Sequence, residues 1–117
     1  MPPLGQFSAL EMNYSLKFLK QFHGKLEWQD VTTREQMFDV LQASFKNRYL
    51  DPSKFAGDLG FSPQSVYRWL DGRGLPHKSV WPLVVDWIRK ELETVIAGYT
   101  AVIRDSAEAG LADHDAS

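Results

Sequence analysis

The amino-acid sequence predicts an all-α fold, and three observations carry that prediction. Apolar residues recur at steps of three and four along most of the chain, which is the period of one helix face. Asp51-Pro52 and Ser62-Pro63 each place a capping side chain directly before a proline, a pattern typical of helix starts. The last third of the chain carries an apolar heptad repeat. These patterns together place helices along nearly the whole chain.

Composition sets the class of protein. The chain has 117 residues, of which 44% are hydrophobic and 24% are charged, as expected for one ordinary globular domain. Its net charge of −2 argues against a basic coat protein for nucleic acid, and the absence of cysteine excludes disulfides and thiolate chemistry. No apolar run in the sequence approaches the roughly 20 residues needed to cross a bilayer. The N-terminal residues also lack the pattern of a signal peptide. We therefore expect a cytoplasmic protein without membrane association.

Residues 1–31 are predicted to form an N-terminal helix and a linker. Gly24 is expected to end the helix, and the short mixed stretch up to Val31 is interpreted as the linker. The apolar face of this helix is predicted from residues at three- and four-residue steps, namely Phe7, Leu10, Tyr14, Phe18 and Phe22.

A second helix is predicted to start at Thr32. Glu35 follows three residues later, and this spacing is that of a capping box, in which each side chain bonds the backbone of the other residue. The predicted buried stripe of this helix consists of Met37, Phe38, Leu41, Phe45 and Tyr49.

Two short helices are predicted to follow. The first starts at Asp51-Pro52 and runs to about Leu59, and Gly60 ends it because glycine most easily takes a left-handed conformation. The second starts at Ser62-Pro63 and runs to about Leu70. Their inward positions are predicted to be Phe55, Ala56, Leu59, Val66, Trp69 and Leu70.

A long helix is predicted from about Lys78, with Pro82 tolerated in its first turn. Extra apolar residues beside the heptad positions indicate that the first half of this helix packs against the preceding helices of the same chain. The heptad positions are Trp81, Val85, Ile88, Leu92, Val95, Tyr99 and Val102. Residues 91–117 then form a C-terminal extension of this helix and an acidic tail.

The two short helices have the features of a helix-turn-helix. Ala56 is small where the helices cross, Gly60 makes the turn, and Val66 and Trp69 anchor the second helix. The polar residues left on its outer side are Gln64, Ser65, Tyr67 and Arg68. Such side chains suit DNA, because glutamine reads adenine, arginine reads guanine and serine bonds phosphate. The segment 46–78 is also the cationic part of the chain, with a net charge of +3.

The string FAGDLGFSPQSVYRWLDGRGLP, residues 55–76, resembles the helix-turn-helix of the lambda-repressor-like family, the Cro and phage-repressor type. The positions that agree are Ala56, the turn Leu59-Gly60-Phe61-Ser62, Val66, Arg68-Trp69, Asp71-Gly72 and Pro76. The resemblance implies a five-helix domain over residues 32–90, with the N-terminal helix and the extended C-terminal helix as additions. It also implies sequence-specific binding of double-stranded DNA by a dimer that regulates transcription, most simply as a repressor.

The resemblance also assigns roles to residues. Gln64, Tyr67 and Arg68 would contact bases, and Ser62 would cap the recognition helix. The residues that would contact the DNA backbone are Ser62, Ser65, Arg73, Lys78 and Lys54. Two prolines depart from the family pattern. Pro52 stands where the family often has a phosphate-binding Gln, and Pro63 stands where it commonly has a polar residue that reads a base.

The apolar seam of the last helix requires a covering surface, because it continues past the end of the resembled domain. One candidate is a second copy of the chain in a homodimer, and the other is the N-terminal helix folding back. The predicted dimerisation residues are Leu92, Val95, Tyr99 and Val102. Two functional alternatives also stay open: a DNA-recognition subunit of a phage packaging or toxin–antitoxin system, and a protein-interaction module that uses the C-terminal helix.

No motif for catalysis, a cofactor or a small-molecule ligand is present, so we expect no enzymatic activity. His23, His77 and His114 are far apart and form no helical pair, so no metal site is expected. The tryptophans that fall on or beside inward stripes are expected in the core rather than on a base-stacking surface. They are Trp69, Trp81 and Trp87.

Overall fold

The computed structural model describes residues 9–28, 30–46 and 48–116, and it describes side chains between residues 12 and 105 outside the two gaps. These residues form α1 (Ala9–Trp28), α2 (Arg34–Phe45), α3 (Pro52–Leu59), α4 (Pro63–Leu70) and α5 (Trp81–Ala116), with a 3-10 helix at Lys78–Val80. No strand occurs in these ranges, so the all-α prediction is confirmed for the described chain. The predicted inward positions Phe7 and Leu10 lie outside the described side chains.

The helices α3 and α4 have the predicted bounds because their ends are set locally. The Asp51 side chain accepts a hydrogen bond from the Ser53 amide at 2.9 Å, and the Ser62 hydroxyl accepts one from the Ser65 amide at 3.1 Å. Gly60 takes a φ of 73° at the end of α3, a conformation that favours glycine. The turn between the two helices is therefore short, and its ends are fixed by these local contacts.

The start of α2 differs from the prediction by one residue. Thr33 is the N-cap, and its hydroxyl accepts a hydrogen bond from the Gln36 amide at 3.1 Å. The Gln36 side chain accepts from the Thr33 amide at 3.1 Å in return. Thr32-x-x-Glu35 and Thr33-x-x-Gln36 both spell a capping box, and the structure uses the second. The helix also ends at Phe45, so Tyr49 is not part of its stripe.

The prediction that Gly24 ends α1 is wrong, since the helix continues to Trp28. A glycine inside a helix costs about 1 kcal/mol relative to alanine, a cost that tertiary packing commonly outweighs. The predicted inward face is wrong in part: Phe22 is buried as predicted, whereas Tyr14 is 66% exposed and Phe18 is 38% exposed. Among the described side chains of α1, those that are buried are Leu19, Phe22 and Leu26.

The helix α1 packs antiparallel on α5. Near the end of α1, His23 Nε2 lies 3.1 Å from Glu93 Oε1. Nearer its start, the Tyr49 hydroxyl lies 3.3 Å from the Ser15 hydroxyl, and the Tyr49 ring contacts the Tyr99 ring at 6.5 Å between centroids. The N-terminal helix thus folds back within one chain and covers the α5 seam at Leu92, while Val102 farther along the seam is 48% exposed. None of the described helices is long and apolar enough to span a membrane.

The core is centred on the fully buried Phe55 of α3. Its ring centroid lies 5.1 Å from that of Phe45 in α2, 5.0 Å from that of Trp87 in α5 and 5.6 Å from that of Phe61 in the turn. The prediction that three tryptophans belong to the core is confirmed, since Trp69, Trp81 and Trp87 are all buried. One core therefore joins α2, α3, α4 and α5, and the buried residues of α1 belong to the same core.

The described part of residues 32–90 holds five helical segments, of which one is a 3-10 helix. That range contains α2, α3, α4, the 3-10 helix and only the first part of α5. Between α4 and the 3-10 helix, Gly72 and Gly74 have φ values of 78° and 156°, which a regular helix cannot contain. Pro76 follows directly and lacks the amide proton that helical bonding needs.

Asp58 joins α3 to α5 and predicts how stability depends on pH. Its Oδ2 accepts hydrogen bonds from Trp87 Nε1 at 2.9 Å and from Lys54 Nζ at 3.3 Å. The Trp87 bond first, and the Lys54 bond second, hold the pKa of Asp58 below its ordinary value of 3.8. A carboxyl with a lowered folded-state pKa stabilises the fold above its ordinary pKa, and this contribution is lost as pH falls through the folded-state pKa.

We therefore expect the Tm to fall between about pH 5 and pH 2, and to fall less steeply in Asp58→Asn. Thermal melts followed by circular dichroism across this range measure the slope. Asp86, whose pKa is lowered mainly by Lys90, contributes in the same window, so the slope is reduced and not abolished. Asp39→Asn is the control, because Asp39 is exposed and has no ion pair with any described residue. Equal slopes in the parent and Asp58→Asn would contradict the prediction.

Candidate nucleic-acid interface

The helix α4 has one buried face and one polar face. Val66 is 1% exposed and Trp69 is 9% exposed, and both belong to the core. Gln64, Tyr67 and Arg68 are all exposed, with Tyr67 at 55%. Residues three and four apart are neighbours on a helix surface, so these three side chains form one continuous patch. We call this patch the α4 outer face.

The turn between α3 and α4 sets the direction of α4. The Phe61 ring lies between the two helices, with its centroid 5.6 Å from that of Phe55 and 5.0 Å from that of Trp69. The Phe61 amide donates to the Ala56 carbonyl at 2.9 Å, directly after the left-handed Gly60. A ring packed against both helices leaves α4 little freedom to rotate.

The other end of α4 is held by α2. Gln42 Nε2 donates to the carbonyl oxygen of Leu70 at 2.7 Å, which satisfies an acceptor at the helix end. A Cβ at Gly72 would lie 3.4 Å from the Phe38 ring, so the turn after α4 packs closely on α2 as well. Both ends of α4 are thus anchored while its outer face is open to solvent.

The α4 outer face is free to bond an external partner. Within the described side chains, Gln64, Tyr67 and Arg68 make no side-chain hydrogen bond or ion pair. The sequence prediction had placed these residues in contact with bases, and the structure brings all three together. A guanidinium, a carboxamide and a phenol side by side can bond base edges.

The two serines at the start of α4 bond each other. The Ser62 hydroxyl caps the helix, which confirms the predicted capping role, and it lies 2.8 Å from the Ser65 hydroxyl. Ser65 is half-buried. Contact of either hydroxyl with a DNA backbone stays a prediction.

Arg73 and Lys78 lie in the exposed segment that follows α4. The Arg73 guanidinium bonds the Asp71 carboxylate at 2.8 Å, and both side chains are mostly exposed. Such exposed pairs contribute about 0–1 kcal/mol, so phosphate can replace the carboxylate readily. Lys78 Nζ lies 5.9 Å from the centroid of the Trp81 ring.

Lys54 contacts residues of both α3 and α5. Its ammonium lies 2.5 Å from Glu91 and 3.3 Å from Asp58, and 5.6 Å from the centroid of the Trp87 ring. The hydrogen bond to Glu91 raises the pKa of Lys54 above its ordinary value. Lys54 therefore takes part in the contact between α3 and α5, and its contact with a DNA backbone stays a prediction. The i,i+4 spacing of Lys54 and Asp58 was a sequence signal for this pairing.

The four predicted dimerisation residues differ in exposure. Leu92 is 1% exposed within a single chain, so its side chain is not available to a second copy. Val95 and Tyr99 are half-buried against the core, whereas Val102 is 48% exposed. The competing expectation, that the N-terminal helix covers this seam, agrees with this packing.

A cluster of possible metal ligands was missed at the sequence level. His23 Nε2 lies 3.1 Å from Glu93 Oε1 and 3.7 Å from Glu27 Oε1, and one ligand atom of each residue lies within 4.8 Å of the others. The sequence argument considered only pairs of histidines. The i,i+4 spacing of His23 and Glu27 was visible in the sequence, but the approach of Glu93 was not. His77 instead caps the 3-10 helix, and the side chain of His114 lies outside the described residues.

Comparisons with known proteins give no information on the function of this site. The chain matches no protein-family model, no curated protein and no solved structure.

Proposed function

We propose that this chain binds double-stranded DNA with sequence specificity, through insertion of α4 into the major groove, and acts as a small transcriptional regulator. The observation that carries the proposal is the α4 outer face, a patch of uncommitted hydrogen-bonding side chains on a helix whose opposite face is buried.

The dimensions of α4 suit this role. An α-helix with its side chains is about 10–12 Å in diameter and the major groove is about 12 Å wide, so the groove admits α4, whose eight residues are about 12 Å long. Recognition helices contact bases chiefly with residues near their N-terminus. Pro63 takes the first helical position, so Gln64 is the first side chain of α4 that can bond a base edge.

The charges around α4 favour specificity over tight non-specific binding. Arg68, Arg73 and Lys78 are the exposed cations on α4 and the segment after it, and the chain as a whole carries a net charge of −2. Few phosphates can be neutralised by each protomer, and non-specific affinity depends on that number. Base contacts must therefore supply much of the binding energy.

A homodimer completes the proposal. Two-fold symmetry would place two copies of α4 about one DNA turn, roughly 34 Å, apart on a palindromic site. Occlusion of a promoter is the simplest regulatory consequence. The burial of Leu92 removes the same part of the α5 seam from a homodimer and from the rival function, an interaction module that uses this seam. A second copy would therefore have to contact the exposed end of the seam, where Val102 is 48% exposed.

Selection from a random double-stranded DNA library, followed by retardation assays with competitor DNA, tests the proposal. We expect enrichment of a defined sequence by the parent protein. Arg68→Ala should then weaken binding to the best site by about 1–3 kcal/mol, roughly 5- to 150-fold in Kd, and relax the preference at one base pair. The reason is that the guanidinium can bond two acceptors of one guanine.

Two further variants serve as controls. Lys78→Ala should lower affinity for all sequences alike, because a phosphate contact carries no sequence information. Arg104→Ala, an exposed arginine in the distal part of α5, should leave affinity unchanged. Failure of the parent protein to enrich any sequence would refute DNA recognition. Unchanged affinity in Arg68→Ala would show that α4 does not read the groove.

A further inference from the structure

We propose that His23, Glu27 and Glu93 form a Zn²⁺ site that joins α1 to α5. His23 and Glu27 lie one turn apart on α1, and Glu93 approaches from α5. The three residues supply one imidazole nitrogen and two carboxylate oxygens, a donor set that zinc accepts in proteins.

The distances between the ligand atoms match a zinc site. Ligand atoms about 2.0–2.2 Å from zinc in tetrahedral geometry are roughly 3.3–3.6 Å from one another. His23 Nε2 is 3.1 Å from Glu93 and 3.7 Å from Glu27, so both distances lie within a few tenths of an ångström of that value. The two carboxylate oxygens are within 4.8 Å of each other, and a small rotation of these exposed side chains closes the remaining gap. A water molecule would occupy the fourth position.

The imidazole is already oriented for binding. The His23 side chain is 17% exposed, because it lies between α1 and α5, whereas the carboxylates of Glu27 and Glu93 are 47% and 56% exposed. One ligand is therefore held by packing while the other two adjust. Preorganisation of this kind reduces the entropy that metal binding costs.

The charges in the cluster favour a cation. Two carboxylates face one imidazole, and across the described residues neither Glu27 nor Glu93 pairs with a lysine or an arginine. Lys90, the nearest cation in sequence to Glu93, bonds Asp86 at 3.0 Å instead. A divalent ion would neutralise both carboxylates and leave the imidazole as a neutral ligand.

Titration of the full chain with ZnCl₂ in a calorimeter, after treatment with a chelator and buffer exchange, tests the site. We expect one Zn²⁺ per chain with a micromolar or lower Kd. Because the ligands come from two helices, the metal binds only the folded chain. The Tm should therefore rise by about 10 °C when free Zn²⁺ is 100-fold above Kd. Co²⁺ in place of Zn²⁺ should give the intense visible absorption of a four-coordinate ion.

Three variants separate this site from other zinc-binding groups. Glu93→Gln and Glu27→Gln each replace an exposed carboxylate by an amide of nearly the same shape, and each should weaken Zn²⁺ binding at least roughly tenfold while the far-UV circular dichroism of the apo chain stays that of the parent. Glu35→Gln, an exposed glutamate in the first turn of α2, is the matched control and should bind as the parent does. The proposal is overturned if the parent shows no saturable binding, if Glu93→Gln binds as tightly as Glu35→Gln, or if Co²⁺ keeps the weak spectrum of the hydrated ion.

Discussion

Replacement of Leu92 by glutamate is expected to unfold the protein. Leu92 is 1% exposed and belongs to the apolar core. A carboxylate there must lose its hydration without a partner or be protonated, and either change costs several kcal/mol. Small domains are stable by only about 5–15 kcal/mol, so most of the stability would be lost.

Urea unfolding followed by circular dichroism measures this effect. Val102→Glu is the matched control, since Val102 lies on the same seam of α5 but is 48% exposed. Its free energy of unfolding should stay within about 0.5 kcal/mol of the parent value. A Leu92→Glu variant that stays folded and changes only from dimer to monomer in sedimentation would contradict the packing of α1 on α5. That result would restore Leu92 as a contact between two copies.

Trp69→Ala is expected to destabilise the fold by about 3–5 kcal/mol, because the loss of a buried indole leaves a large cavity. The Trp69 ring packs edge-on against Phe61 at 5.0 Å between centroids, and Phe61 in turn contacts Phe55. Truncation of Trp69 therefore removes a contact that orients α4 relative to α3. The shift of the urea midpoint, with the slope of the transition, gives the change in stability.

Tyr67→Ala is the control for the orientation of α4. Tyr67 lies two residues before Trp69 and is 55% exposed, so its truncation should change the free energy of unfolding by less than about 1 kcal/mol. It should instead weaken binding to the selected DNA. If Tyr67→Ala destabilised the fold and Trp69→Ala did not, α4 would be rotated, and its outer face would be part of the core.

The features predicted correctly from the sequence are those that depend on neighbouring residues. The bounds of α3 and α4 follow from Asp51, Ser62 and the prolines after them, and Gly60 ends α3. A cap is a hydrogen bond across two or three residues, so the residues that form it can be read together. The same holds for the α4 outer face, because three- and four-residue steps on one helix always share a side.

The predictions from the sequence were wrong where two local patterns fitted a helix equally well, or where packing against a distant helix determined which residues are buried. Two overlapping capping boxes precede α2, and only the structure shows that Thr33 is the cap. In α1 several apolar residues could have faced inward. The packing of α5 selects Leu19 and Leu26 and leaves Tyr14 exposed.

The side-chain pairs and the burial pattern that were not predicted depend on contacts between residues far apart in the chain. His23 and Glu93 are separated by 70 positions and Lys54 and Glu91 by 37, and nothing in the local sequence of either partner indicates the other. The burial of Leu92 likewise depends on α1, which lies at the opposite end of the chain. Helix ends follow from short-range backbone hydrogen bonds, whereas burial and side-chain pairing follow from which helices pack together, and only the tertiary structure determines that.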